Sequence, residues 1–275
     1  MLLPFLFLFF ASFVSVGQCE VVSSFNKCPS FFLDGKLPDD NLKPLNPARI
    51  CQTYRNKVFY ATMYDRTNRI PVYSAYLYTP SPGDRSTDWM IEPQLVRSNL
   101  NRNMEDERES TIPPAQIAAS QATFNDYAAA PYYVDKGHLN PVVHHNTDDS
   151  KAATFTLTNI VPQFNKLNQG PWVNYETQTM SQKTAQNRCT KVHVMVGAVP
   201  GKDFISNKRV NYPSYVWSAS CCVNAQNKRV SWAVIASNDP KKPPAVTERT
   251  LRQLEQQLAT LYGKRSINLF NSSCY

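Results

Sequence analysis

The sequence predicts a mixed α+β fold in which strands form a central sheet and a few helices cover it. Three observations carry that expectation. Residues 58–64, 70–77, 192–199 and 230–235 are runs of β-branched, aromatic and aliphatic residues of strand length. Residues 247–262 read as a helix, with Leu251, Leu254, Leu258 and Leu261 on one face and Gly263 as a stop signal. Hydrophobic residues make up 42% and charged residues 18% of 275, which excludes a disordered chain and suffices for a large core. No repeat and no low-complexity linker divides the chain, so one domain is expected.

From the N-terminus, residues 1–16 are apolar and rich in Leu and Phe, with no charged side chain before Glu20. Small residues follow, the pattern of a secretory signal peptide. Cleavage fits after Gly17, with Ser15 at −3, or after Cys19, with Gly17 at −3. We take 1–19 as the signal and 20–275 as the domain. No later segment approaches the length of a membrane span, so the mature chain is expected to be soluble and secreted. Removal through Cys19 leaves six of seven cysteines, an even set suited to an oxidising compartment. Cys28–Cys51 is expected as a local clasp, Cys189 is expected to meet Cys221 or Cys222, and Cys274 the one that remains. A zinc site is the rival reading, but there is no C-x-x-C pair and adjacent Cys221 and Cys222 chelate poorly. Asn271-Ser272-Ser273 is an N-glycosylation sequon, which makes a glycoprotein plausible.

Residues 28–47 read as an irregular arm. Residues 58–64 and 70–77, joined by the polar Asp65-Arg66-Thr67-Asn68, read as a β-hairpin, with Pro71 tolerable near a strand start. Residues 81–88 form a loop, 99–110 an exposed polar stretch, and 115–127 a helix. Residues 154–158 alternate as a strand does. Pro171 suits a first helical position, starting a helix through Trp172, Tyr175, Glu176 and Met180.

The chemistry concentrates in Asp135-Lys136-Gly137-His138, Thr158-Asn159 and Leu167-Asn168-Gln169-Gly170-Pro171-Trp172, with Glu176 beyond. Hydrolysis of a phosphodiester needs a base that works near neutral pH, and His138 has the right ordinary pKa. It also needs charge compensation at phosphate oxygens, which a hard divalent cation supplies. Magnesium takes oxygen ligands and keeps several waters, so the neutral amide oxygen of Asn168 is a sensible single ligand. On a regular helix Glu176 lies about 80° around the axis from Asn168 and can hold metal-bound waters. Lys136, two residues before His138, can reach a phosphate oxygen as a point charge. The net charge of +8 favours a polyanionic partner, nucleic acid or anionic glycan. His144 and His145 invite a zinc reading, but the amide and carboxylate partners suit a hard metal better. His193, inside an apolar strand, reads as a core residue.

The ordered combination resembles the DNA/RNA non-specific endonuclease family of the ββα-metal superfamily. Its signature is D-R-G-H, then S/T-N-I-x-P-Q, then L-N-x-x-x-W-x-x-L-E. Here the segments read Asp135-Lys136-Gly137-His138, Thr158-Asn159-Ile160-Val161-Pro162-Gln163, and Leu167-Asn168 through Trp172 to Glu176. Arg69-Ile70-Pro71-Val72-Tyr73-Ser74-Ala75-Tyr76 and Trp89-Met90-Ile91-Glu92-Pro93-Gln94 are more narrowly similar to the endonuclease domain-containing 1 group. The resemblance covers nearly all of the mature chain. It implies His138 as general base, Asn168 as the magnesium ligand (manganese as a substitute), Glu176 in support, and Asn159 in a structural or substrate-contacting role. It also implies an arginine near the scissile phosphate, matched by Arg85, with Arg97 as the alternative. DNA and RNA are the implied substrates, and 5′-phosphate products are implied. The family arginine is replaced by Lys136, which keeps the charge but loses the bidentate fork. That departure sustains a second reading, a secreted nucleic-acid-binding protein with little turnover on a nuclease scaffold. Oligomeric state and the preference between DNA and RNA are not legible.

Overall fold

Asp65 closes the turn of the N-terminal hairpin. Its carboxylate accepts from the backbone N–H groups of Thr67 and Asn68 at 2.9 and 3.2 Å and from the Asn68 amide at 2.7 Å. An acidic residue bonding its own chain two and three residues on is a standard way to stabilise such a bend. In the computed structural model, which describes residues 20–82 and 88–274, this hairpin is part of a large antiparallel sheet. Residues 1–19, expected as a signal peptide, lie outside the described residues.

Along the chain the strands are β1 (Val21–Val22), β2 (Pro47–Tyr54), β3 (Lys57–Asp65) and β4 (Ile70–Leu77). Then come the short pair β5 (Met90–Ile91) and β6 (Glu105–Asp106), and the ribbon β7 (Val134–His138) and β8 (Ile160–Phe164). They continue as β9 (Cys189–Val199), the pair β10 (Asp203–Ile205) and β11 (Val210–Tyr212), β12 (Tyr215–Asn224), β13 (Arg229–Ser237) and β14 (Val246–Arg249). The large sheet has the order β1-β2-β3-β4-β9-β12-β13-β14. The expected α+β architecture is present.

Strand alternation sends side chains to two covered faces. Val192, Val194, Val196 and Ala198 of β9 pack with Ile160, Leu167, Trp172, Tyr175 and Met180 on one side. Met195 and Val199 pack on the other, with Phe25, Phe31 and Phe32 of the N-terminal arm and the buried Leu251, Leu254 and Leu258 of the C-terminal helix. Cys221 and Cys222, adjacent on β12, therefore face opposite layers. Cys222 bonds Cys189 on one face, Cys221 bonds Cys274 on the other, and Cys28–Cys51 ties the arm to β2.

Four expectations about elements need correction. Residues 154–158 are not a strand: among the described residues they make a single isolated bridge, Thr156 to Met90, and their threonine side chains are tied to other segments. Thr154 donates to the Lys151 carbonyl at 2.7 Å, and Thr156 and Thr158 donate to Glu92 Oε1 at 2.7 and 2.9 Å. Residues 115–127 are two short helices, Pro114–Ser120 and Phe124–Ala128, parted where the Gln121 amide brackets the Glu92 backbone at both N–H and carbonyl. The C-terminal helix is Leu251–Leu261, capped by Thr250, because the residues just before it join the sheet as β14. Pro171 does not begin its helix. The helical run spans 165–186, with π-helical turns at Asn168–Trp172 and Tyr175–Thr179. Proline removes one helical hydrogen bond and crowds the preceding turn. The widened turn and the non-helical Gly170 (φ −113°, ψ −110°) absorb that conflict, while buried Trp172 and Tyr175 hold the helix to the sheet. Among the described residues no helix is long and apolar enough to cross a membrane.

Candidate active site

The site is built on the β7–β8 ribbon, where His138 pairs with Ile160, Lys136 with Pro162 and Asp135 with Gln163. Alternation puts Lys136 and His138 on one face and Asp135 and Gly137 on the other. Gly137 is required by crowding. A Cβ there would run into Gln163 Oε1 and come within 2.6 Å of Gln163 Cβ, so only glycine lets Gln163 cross the ribbon.

On the first face, His138 stacks between Trp89 (centroids 5.5 Å apart) and Phe155 (5.0 Å, edge-on). Lys136 Nζ lies 5.6 Å from the Trp89 centroid and 4.9 Å from that of Phe124. The cation is thus held in a row of aromatic rings that ends at the part-exposed Phe124. Burial lowers the pKa of Lys136, and Asp135 partly offsets the effect.

On the second face, Asp135 Oδ2 accepts from Asn168 Nδ2 at 3.0 Å and from Gln169 Nε2 at 2.8 Å. With its NH2 group engaged, Asn168 has its amide oxygen left to serve a ligand. Asn168 lies in the first widened turn of the 165–186 helix and Glu176 in the second, both half-buried. A neutral amide oxygen and a carboxylate on one helix fit a hard divalent cation that keeps much of its water. Among the described residues no group of three or more His, Cys, Asp or Glu side chains is placed to hold a metal.

Asn159 is fully buried, with its amide consumed within the protein. Its Oδ1 accepts from Ser74 Oγ at 2.9 Å and the Asn140 N–H at 3.1 Å. Its Nδ2 donates to the Asn140 and Thr154 carbonyls at 2.9 and 3.0 Å. Leu139 N–H also donates to the Asn159 carbonyl at 2.9 Å. These bonds pin the chain just after His138 to strand β4. They occupy both ends of the amide.

The other histidines are structural in their placement. His144 Nε2 donates to the Glu176 carbonyl at 2.8 Å, and its Nδ1 accepts from the Tyr76 hydroxyl at 2.9 Å. It therefore fastens the helix at Glu176 to β4, and burial brings its pKa down to about 4. His145 lies 2.7 Å from Asn140 Oδ1, and burial first, with His144 and Lys151 behind it, takes its pKa to about 3. His193 is buried in β9 with Nδ1 3.2 Å from the Phe31 carbonyl, in keeping with a core position. Arg85 lies outside the described residues, and Arg97 is exposed at the end of the short helix Pro93–Val96. Sequence reasoning left Asp135 without a role and did not see that Trp89 joins Lys136 to His138. The only signals for these were the place of Asp135 in its motif and the recurrence of Trp89 in the resemblance.

Comparison with known proteins assigns the chain to a family. The profile of the family described as DNA/RNA non-specific endonuclease matches residues 37–266. The human Endonuclease domain-containing 1 protein is 32% identical over 212 residues, 75% of this chain and 40% of that protein. Its mouse counterpart is 28% identical over 242 residues, 86% of this chain and 46% of that protein. Bovine mitochondrial Endonuclease G is 30% identical over 148 residues, 52% of this chain and 45% of that protein. The chain thus spans less than half the length of these curated relatives. A crystal structure of the EndoG/EndoGI complex has a similar fold, with a TM-score of 0.54 and 19% identity, covering 79% of this chain and 85% of that one. The chain belongs to the DNA/RNA non-specific endonuclease family.

Proposed function

We propose that this chain is a secreted, metal-dependent endonuclease that hydrolyses the phosphodiester bonds of DNA and RNA with little sequence preference. The observation that carries the reading is the Asn168 amide, whose Nδ2 is held by Asp135 on the strand that bears Lys136 and His138. Magnesium, or manganese in its place, supplies charge compensation at phosphate oxygens when bound at Asn168 Oδ1. His138 acts as general base, taking the proton of the attacking water on its imidazole. Glu176 accepts hydrogen bonds from water entering the cleft, and Lys136 meets a phosphate oxygen. Arg85 is assigned a second phosphate contact, and Asn159 positions the chain that follows His138.

Contacts to phosphate carry no base information, which supports broad substrate use. The net charge of +8 supports a polyanionic substrate. Three disulfides, the apolar residues 1–16 and an exposed Asn271 in its sequon support secretion and glycosylation.

The test is cleavage of supercoiled plasmid and of single-stranded RNA with magnesium and with EDTA, beside His138→Ala. The expected result is metal-dependent degradation that falls by about 10²-fold or more in the variant. A folded wild type that leaves both substrates intact across divalent metals, yet retards them on a gel, is instead a binding protein.

A further inference from the structure

Phe124 leaves 40% of its surface in water. A single exposed apolar side chain is ordinary on a protein surface. This one is set apart by where its ring lies and by how its backbone is held. The ring centroid is 4.9 Å from Lys136 Nζ, on the face of β7 that also carries His138. Trp89, 5.6 Å from the same ammonium, packs on His138, which in turn meets Phe155. Phe155 is buried and Trp89 half-buried, so Phe124 is the ring of this row most open to solvent.

The mounting is firm. The Phe124 N–H donates to Glu107 Oε2 at 2.7 Å. Thr123 N–H and Oγ1 donate to Asp126 Oδ2 at 2.9 and 3.0 Å, closing the first turn of the helix Phe124–Ala128. Arg209 Nε donates to the Oδ1 of the same buried carboxylate at 2.8 Å, and Ser206 Oγ at 2.6 Å. Two distant segments thus fix the backbone that bears the ring, which lowers the cost of ordering it when a ligand arrives.

A nucleotide carries a flat aromatic base one sugar away from its phosphate. A strand whose phosphate meets Lys136 therefore brings a base within reach of the Phe124 ring. We propose that Phe124 is a stacking platform for that base, and that it makes the site favour single-stranded over duplex nucleic acid. The platform rests on the assignment of Lys136 to a phosphate oxygen made above. Phenylalanine has no polar atom with which to read a base edge, and every base has a π-face, so stacking here is sequence-tolerant. In a duplex both faces of a base are covered by its neighbours, and the base must leave the stack before it can meet the ring. A single strand offers its bases without that cost.

The test is fluorescence anisotropy of the full mature chain in EDTA with end-labelled DNA strands of about twelve nucleotides. One strand carries ordinary bases, a second has the same phosphates on abasic sugars throughout, and a third is the ordinary strand in a duplex. Phe124→Ala is expected to weaken binding of the ordinary single strand about tenfold, and to change binding of the abasic strand and of the duplex by less than about twofold. Phe124→Trp is expected to bind the ordinary strand at least as tightly as the wild type. Should Phe124→Ala fail to fold, Phe124→Leu takes its place, keeping apolar bulk without a flat ring. An equal loss on ordinary and abasic strands overturns the platform and makes the ring a support for Lys136. No loss on either strand overturns it too, as does a wild type that binds neither. An equal loss on the duplex overturns the single-strand preference. Plasmid cleavage with magnesium is read separately. A chain that cleaves but shows equal losses lacks the platform alone, whereas one that stacks single strands without cleaving keeps the platform and is not a nuclease.

Discussion

Asn168 on the central helix donates its Nδ2 to Asp135 Oδ2 on strand β7 at 3.0 Å, so the strand sets the orientation of the helix side chain. An amide has a donor end and an acceptor end of nearly the same shape, and an ionised carboxylate can only accept. Asp135 therefore draws the NH2 toward itself, and Gln169 adds a second donor at 2.8 Å. Asp135→Asn removes this preference while keeping the volume. Apparent magnesium affinity is expected to fall by about 10–100-fold, the usual effect of losing a ligand's supporting partner. A magnesium titration of plasmid cleavage decides it, and an unchanged midpoint excludes the orienting role.

Lys136 is expected to act on phosphate by charge. Lys136→Met should reduce the slope of log(kcat/KM) against log(salt) by about one, and Lys136→Arg should preserve it. Rates measured across a salt series give the slope directly. If Lys136→Met leaves it unchanged, the side chain is a packing element between Trp89 and Phe124.

Gly137→Ala puts a methyl group where Gln163 already lies, with its Cβ 2.6 Å from the Gln163 Cβ. Overpacking of this kind costs about 1–3 kcal/mol, and the ribbon carrying His138 must shift to relieve it. Urea denaturation should show the loss, and Gln163→Ala in the same chain should recover much of it. If the double variant is no more stable than Gly137→Ala, the clash is not the reason for glycine.

His144 and His145 are neutral in the folded protein, their pKa values brought by burial to about 4 and about 3. An unfolded imidazole titrates near 6.5, so below that pH the unfolded chain takes up protons that the folded one refuses. Stability from these groups is therefore complete above about pH 6.5. It is lost progressively as pH falls toward the folded values, on the order of a few kcal/mol per imidazole. Denaturant midpoints measured between about pH 7 and pH 5 should fall with acidification. His144→Gln, which keeps a donor for the Glu176 carbonyl, should flatten the slope. An equally steep slope in that variant assigns the acid sensitivity elsewhere.

Much of the fold was legible because its signals are local. The hairpin β3–β4, strands β9 and β13, and the leucine face of the C-terminal helix each follow from side-chain period and turn chemistry within about ten to twenty residues. Cysteine parity and spacing predicted Cys28–Cys51, and reduced the other pairs to a choice between Cys221 and Cys222. Only the sheet resolved that choice, because neighbours on a strand face opposite layers and each layer supplies a different partner. The early start of the central helix was hidden for a similar reason. Pro171 signals a helix start locally, whereas packing of Trp172 and Tyr175 sustains a widened turn around it.

The motif residues could be named as candidates from their order along the chain, but their relations could not. Asp135 orients Asn168, and Asn159 pins the backbone after His138. Periodicity and motifs carry information about neighbours along the chain. Hydrogen-bond direction and buried charge are set by groups that only the closed sheet and its two covering layers bring together.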